Sequence, residues 1–182
     1  MKRPAPTPST VAQSVCGTDG APVLLLLTGA RGAGKTRWCT TLLHAARKEG
    51  LAVAGLLSPP VYEKGRKTAI NLLDIATNKQ RCLAERTAPG EAGTAGLGWR
   101  FKPATLNWGN AVLKGISRCD LLILDELGPL EFDGKGGLNA AFSLIDAADF
   151  RTAIIVVRPE LLQSASKRWP WIAHIYEVTK ET

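Results

Sequence analysis

Hydrophobic and polar positions divide this chain into short apolar runs that alternate with amphipathic stretches. Val23–Thr28 is a near-continuous apolar run of strand length, and Asp120-Leu121-Leu122-Ile123-Leu124 and Thr152–Val157 read the same way. Runs without polar alternation are those of strands buried on both faces. Between them, residues 35–49 place Trp38, Leu42, Leu43 and Ala46 at helical spacing, with Gly50 as the stop. Further helices are predicted near 105–118, 138–148 and 160–168, and further strands at 51–57 and 174–179. The stretch 61–85 differs: Val61-Tyr62-Glu63, Thr68–Ile75 and Arg81–Ala84 are separated by Lys64-Gly65 and Thr77-Asn78-Lys79. Short apolar segments around such turns predict a small antiparallel β-hairpin insertion beside the main sheet. Residues 1–20 are rich in Pro, Ser, Thr and Ala without periodicity and read as a flexible tail, and Pro89–Gly98 as a mobile loop. The alternation of strand and helix over 21–182 predicts one three-layer α/β domain with a mainly parallel sheet.

The run Val23–Thr28 leads into Gly29-Ala30-Arg31-Gly32-Ala33-Gly34-Lys35-Thr36, which fits the phosphate-loop spacing G-x-x-x-x-G-K-[ST] between a strand and a helix. Glycines let the backbone curl so that its N–H groups converge on phosphate oxygens, and the start of the following helix adds its partial positive charge. The pattern predicts nucleoside triphosphate binding by all eight residues. Lys35 reaches the β- and γ-phosphates, and the Thr36 hydroxyl coordinates Mg²⁺.

The strand ending in Asp125-Glu126 supplies the other half of such a site. Asp125 is read as the acid that anchors Mg²⁺ through water, and Glu126 as the base that orients and deprotonates an attacking water. A third strand, Thr152–Val157, is expected to insert between the phosphate-loop strand and the carboxylate strand. That would bring Arg158 toward the γ-phosphate, where it could stabilise developing charge.

Composition narrows the setting. At 182 residues and 45% hydrophobic, the chain has the size and apolar content of a single folded domain. No apolar run approaches the length of a membrane span, and no secretory signal pattern follows Lys2-Arg3, so the expected location is cytoplasmic. Cys16, Cys39, Cys82 and Cys119 form no C-x-x-C pair and read as reduced thiols. The net charge of +7 is spread along the chain and clusters partly at the phosphate loop. It is read as attraction for triphosphates rather than as a nucleic-acid surface.

These residues resemble the small nucleoside-triphosphatases first described from thermophiles, also called cancer-related nucleoside-triphosphatases. The similarity runs from Val23 to Thr182. The family's Asp-Glu-Ile-Gly-Lys-Met-Glu-Leu stretch is matched by Asp125-Glu126-Leu127-Gly128-Pro129-Leu130-Glu131-Phe132, and its Gly-Arg-Arg hairpin by Gly65-Arg66-Lys67. Its closing tail is similar to Val178-Thr179-Lys180-Glu181. The resemblance implies a P-loop NTPase with a RecA-like sheet. It also implies slow Mg²⁺-dependent hydrolysis of ATP, GTP and other nucleoside triphosphates to diphosphate and phosphate, with weak base discrimination. By residue match it carries over Lys35, Thr36, Asp125 and Glu126, and more distantly Arg66 and Glu131. Pro129 stands where the family has lysine, and Arg37-Trp38 where it often has Thr-Leu.

Four tryptophans, Trp99, Trp108, Trp169 and Trp171, could stack on a nucleobase, with Trp99 favoured by its Gly-rich loop. Two rival functions stay open. One is a nucleotide-dependent accessory protein for cofactor or metallocentre assembly, with an unknown protein partner. The other is a small-molecule or nucleotide kinase, which needs an acceptor pocket and an Arg-rich lid that the sequence does not display.

Overall fold

The computed structural model describes residues 2–17, 20–88 and 90–179. In chain order the elements are β1 (Lys2–Pro4), α1 (Pro8–Cys16), β2 (Val23–Thr28), α2 (Lys35–Lys48), β3 (Val53–Leu57), β4 (Pro60–Glu63), β5 (Arg66–Asp74) and β6 (Gln80–Arg86). Next come β7 (Trp99–Phe101), α3 (Pro103–Lys114), β8 (Cys119–Leu127), α4 (Pro129–Phe132), α5 (Ala140–Ala147), β9 (Phe150–Val157), α6 (Leu162–Arg168) and β10 (Ile172–Glu177). The strands form one sheet in the order β1-β10-β2-β9-β8-β3-β5-β6-β7, with β4 paired to β5.

From β1 to β3 the pairing is parallel, and β4, β5, β6 and β7 are antiparallel. As expected, β9 lies between β2 and β8. The apolar runs are explained by burial on both faces. Leu25, Leu27, Leu121, Ile123, Ile154 and Val156 pack with α1 and α2, while Leu24, Leu26, Leu122, Leu124 and Ile155 pack with α3, α5 and α6. Alternate residues of one strand serve opposite layers. This is the three-layer α/β arrangement.

One expectation needs correction. The segment 1–20, expected to be a flexible tail, is folded across most of its length, with Met1, Thr18 and Asp19 outside the described residues. Lys2–Pro4 pairs with β10. Thr7 caps α1, Pro8 opens it, and Val11, Ala12 and Val15 are buried against the α2 layer. Trp38 of α2 donates its indole N–H to the Pro6 carbonyl at 3.0 Å. Three small apolar positions are too few to show as periodicity among so many polar residues, yet they suffice to dock nine residues.

The small antiparallel insertion is present as expected: β5 pairs with β3 at Leu56–Asp74 and Leu57–Leu73, so its strands continue the main sheet at its side. They are joined by β7, a strand that the sequence pattern does not announce, which pairs with β6. In the Gly-rich stretch Pro89 lies outside the described residues, and the rest carries a hydrogen bond from Gly98 N–H to the Ala92 carbonyl at 2.7 Å and the Arg100–Glu91 ion pair at 2.8 Å. Of the closing tail, Lys180 to Thr182 also lie outside the described residues.

Val15 is fully buried. Val15→Ala should therefore lower unfolding stability by about 2 kcal/mol, from lost transfer energy and the cavity left behind. Urea denaturation would show it; an unchanged midpoint would mean that α1 is not docked.

Candidate active site

The carboxyl edge of the parallel strands opens into one cavity of ≈ 900 Å³. The loop after β2 forms its first wall. Gly32 and Gly34 take φ of 77° and 100°, left-handed conformations that side chains resist, and the loop needs them to turn its N–H groups inward. Gly34 is also the N-cap of α2, so the positive end of a 14-residue helix faces the loop. Lys35 is buried and folds back over the loop, donating to the Gly29 carbonyl at 2.7 Å and the Ala30 carbonyl at 3.0 Å. An ammonium carries three donors, so a phosphate oxygen can take the remaining one.

Opposite the loop stands Asp125 near the end of β8, only 3% exposed. Its pKa is pushed up to about 6, chiefly by burial; the Thr36 hydroxyl and the Ser58 N–H hydrogen bonds and Lys35 oppose the shift, and Glu126 adds to it. A desolvated carboxylate bonded to the Thr36 hydroxyl is a hard-oxygen donor pair that a divalent cation would complete, and the set suits Mg²⁺.

Ser58 is a site residue that the sequence does not reveal, since Ser58-Pro59-Pro60 reads there only as a strand end. Its N–H donates to Asp125 Oδ2 at 3.3 Å and its hydroxyl to the Asp125 carbonyl, so it clamps both the side chain and the backbone of Asp125. The one hint is its position at the end of a strand adjacent to β8, but nothing in its identity marks it.

Glu126 follows on the same strand end and is partly exposed to the cavity. Arg158, immediately after β9, forms an ion pair with it through Nε. The strand order thus brings Arg158 into the site, where it holds one carboxylate oxygen of Glu126.

The two more distant candidates separate. Arg66 is exposed at the start of β5 and does not line the cavity. Its neighbour Lys67 does, because strand alternation sends adjacent side chains to opposite faces. Lys67 is held below the usual lysine pKa by burial; Glu126 and Asp125 pull its pKa up, and Arg31 and Arg158 push it down. Its ammonium also sits 5.1 Å from the Trp99 ring centroid. Glu131 is buried and acts on backbone. Its Oε2 accepts from Gly128 N–H at 2.8 Å and its Oε1 from Leu138 N–H at 2.7 Å, while burial raises its pKa. A side chain at Gly137 would collide with this carboxylate.

Of the four tryptophans, Trp99 alone lines the cavity, itself only 6% exposed. Trp108 is covered by Arg81, Trp169 packs with Phe132 and Phe142, and Trp171 stacks on Phe150. Cys39 is buried beneath the loop as a packing residue, its thiol pKa raised by desolvation.

Glu131 ties the loop after β8 to the start of the next helical segment. Glu131→Ala should lower stability by about 3 kcal/mol, since two N–H groups lose a charged acceptor. A midpoint within experimental error of the wild type in urea would remove this structural role.

Comparison with known proteins fits this geometry. Residues 24–182 match the family model described as NTPase. The chain is 28% identical over 124 residues to the nucleoside-triphosphatase THEP1 of Methanopyrus kandleri, covering 68% of this chain and 67% of that protein. It is 32% identical over 107 residues to THEP1 of Saccharolobus solfataricus, covering 59% and 61%. The latter match spans less than two thirds of the relative. In fold it is similar to a human cancer-related nucleoside triphosphatase, with a TM-score of 0.64, 18% identity and coverage of 89% and 90%. THEP1 from Aquifex aeolicus gives a TM-score of 0.58 at 13% identity, with 86% and 90% covered.

Proposed function

The chain belongs to the NTPase family of nucleoside-triphosphatases, and on that premise we propose that it hydrolyses the β–γ phosphoanhydride of several nucleoside triphosphates in the cytoplasm. The observation that carries the reading is the convergence of Lys35, Thr36, Asp125 and Glu126 on one cavity at the ends of β2 and β8. The backbone of Gly29–Gly34 and the start of α2 hold the phosphates, with Lys35 bridging the β- and γ-groups. Thr36 and, through water, Asp125 would hold Mg²⁺, which neutralises charge on the β- and γ-oxygens when bound. Ser58 keeps Asp125 aimed at that position.

Glu126 takes the proton of the attacking water on the carboxylate oxygen that Arg158 leaves open. Arg158 fixes the carboxylate and lends positive charge beside the γ-phosphate. Weak base discrimination follows from the way the substrate is held. The loop reads phosphate through main-chain N–H groups, and these make no distinction among nucleobases. Cys16, Cys39, Cys82 and Cys119 are free thiols, which suits a reducing compartment. No helix among the described residues is long and apolar enough to cross a membrane.

Phosphate release from ATP, GTP, CTP and UTP should be comparable, and should vanish when Mg²⁺ is chelated. Glu126→Gln should slow release by about 100-fold with nucleotide affinity kept. A wild-type rate in that variant would remove Glu126 as the base, and tight binding without any turnover would favour the accessory-protein reading. Lys35→Ala should weaken nucleotide binding by about tenfold or more in calorimetry; unchanged affinity would sink the phosphate-loop assignment.

A further inference from the structure

The cavity has two unlike halves. Its polar half lies over the ends of β2, β9 and β8 and accounts for triphosphate and metal. Its other half lies over β5, β6, β7 and α3, walled by Ile70, Leu83, Leu97, Trp99, Phe101 and Leu106. A hydrolase needs only a water on the attacking side, and water gains nothing from an apolar chamber of this kind. Concave walls of apolar and aromatic side chains beside a few polar groups are those of small-molecule sites.

The direction of the reaction decides which molecule the chamber can hold. In-line displacement puts the attacking atom and the leaving diphosphate on opposite sides of the γ-phosphorus. Glu126, as the base, marks the attacking side. In the sheet order, β5, β6 and β7 lie beyond β8 and β3 from the phosphate-loop strand β2, and Lys67 of β5 lies over Trp99 there. The chamber therefore lies on the far side of Glu126 from the phosphate loop, the attacking side, and a triphosphate aligned for in-line attack would direct its nucleoside the other way.

We propose that this chamber is an acceptor site, which takes a small flat apolar alcohol and presents its hydroxyl to the γ-phosphate in place of water. The inference rests on the assignment of Glu126 as the base. The hydroxyl oxygen forms a bond to the γ-phosphorus as the bond from that phosphorus to the β–γ bridging oxygen breaks. The nucleoside diphosphate leaves with the electron pair, and the hydroxyl proton passes to Glu126. The products are a phosphate monoester and a nucleoside diphosphate. Ile70, Leu83, Phe101 and Leu106 with the edge of Trp99 enclose the flat body, Lys67 adds a positive charge to the cavity wall, and the apolar walls exclude the competing water. Hydrolysis is then the slow reaction of a site whose acceptor is missing.

The test uses the full chain, Mg²⁺, γ-labelled ATP and 2-naphthalenemethanol as the probe. Label is expected in the naphthylmethyl phosphate ester while release of inorganic phosphate falls. The alcohol should bind by calorimetry in the presence of ADP. Leu106→Trp and Ile70→Phe, which narrow the chamber from half-buried positions, should each weaken alcohol binding about tenfold or more. Both should leave phosphate release without alcohol within about twofold of wild type.

Alcohol that competes with ATP would assign the chamber to the nucleobase and overturn the proposal. Alcohol that binds with only inorganic phosphate formed would overturn the transfer, and ester formation unaffected by both variants would overturn the location. Retained hydrolysis in Glu126→Gln without alcohol marks failure of the hydrolytic assignment instead, because that measurement does not involve the chamber.

Discussion

Parallel pairing of β2, β9 and β8 is the constraint on which the site depends. Their backbone groups are buried and must be satisfied by neighbouring strands, which locks the register Leu24–Ala153–Leu122 and Leu26–Ile155–Leu124. Because all three run the same way, each delivers its C-terminal end and the loop beyond it to one edge. The phosphate loop, Arg158 and Asp125-Glu126 therefore meet there although 88 residues lie between Thr36 and Asp125. A one-residue slip would turn every apolar side chain to the wrong layer, so the core enforces the geometry of the catalytic edge. Chemistry and packing are specified by the same hydrogen bonds.

Legibility in the sequence followed the length scale of each interaction. Gly29–Thr36 is a local device, with spacing and residue types set by one turn of backbone, and it could be read directly. Asp125-Glu126 was legible because a strand of unbroken apolar residues must end at an edge. The placement of β9 and the arrival of Arg158 came from topology rules and also stand in the structure. Ser58, Lys67 and the apolar chamber were not legible. Ser58 depends on the parallel pairing of β3 with β8, and Lys67 and the chamber on the antiparallel extension; no local spacing encodes either neighbour or which hairpin face looks inward. Arg66 illustrates the point: the motif was in the right hairpin, and strand alternation selected its neighbour. The docking of α1 was hidden for a related reason, since three small apolar residues carry weight only once α2 supplies the opposing surface.

Glu131 shows how a residue shared with a family motif can work by holding backbone. Its two oxygens bind N–H groups from separate loops, both of which border the cavity. Burying a carboxylate is costly, and here the cost is offset by two charge-assisted hydrogen bonds. The effect is to fix the floor beneath Glu126. Ser58 plays a comparable part for Asp125 from the other side, so each acid is steadied by hydrogen bonds to the backbone around it.

The sheet order has a further consequence at its two ends. β1 and β7 are each three residues long, and β1 is spelled Lys2-Arg3-Pro4. A wide sheet normally presents long rows of unpaired amides to any passing strand. This one ends on either side in a stub; on the β1 side, one residue is a proline that has no N–H to give and the other two are charged. A neighbouring strand finds little to pair with at β1 or β7 themselves, so these two stubs are poor templates for extending the broad sheet that builds the catalytic edge.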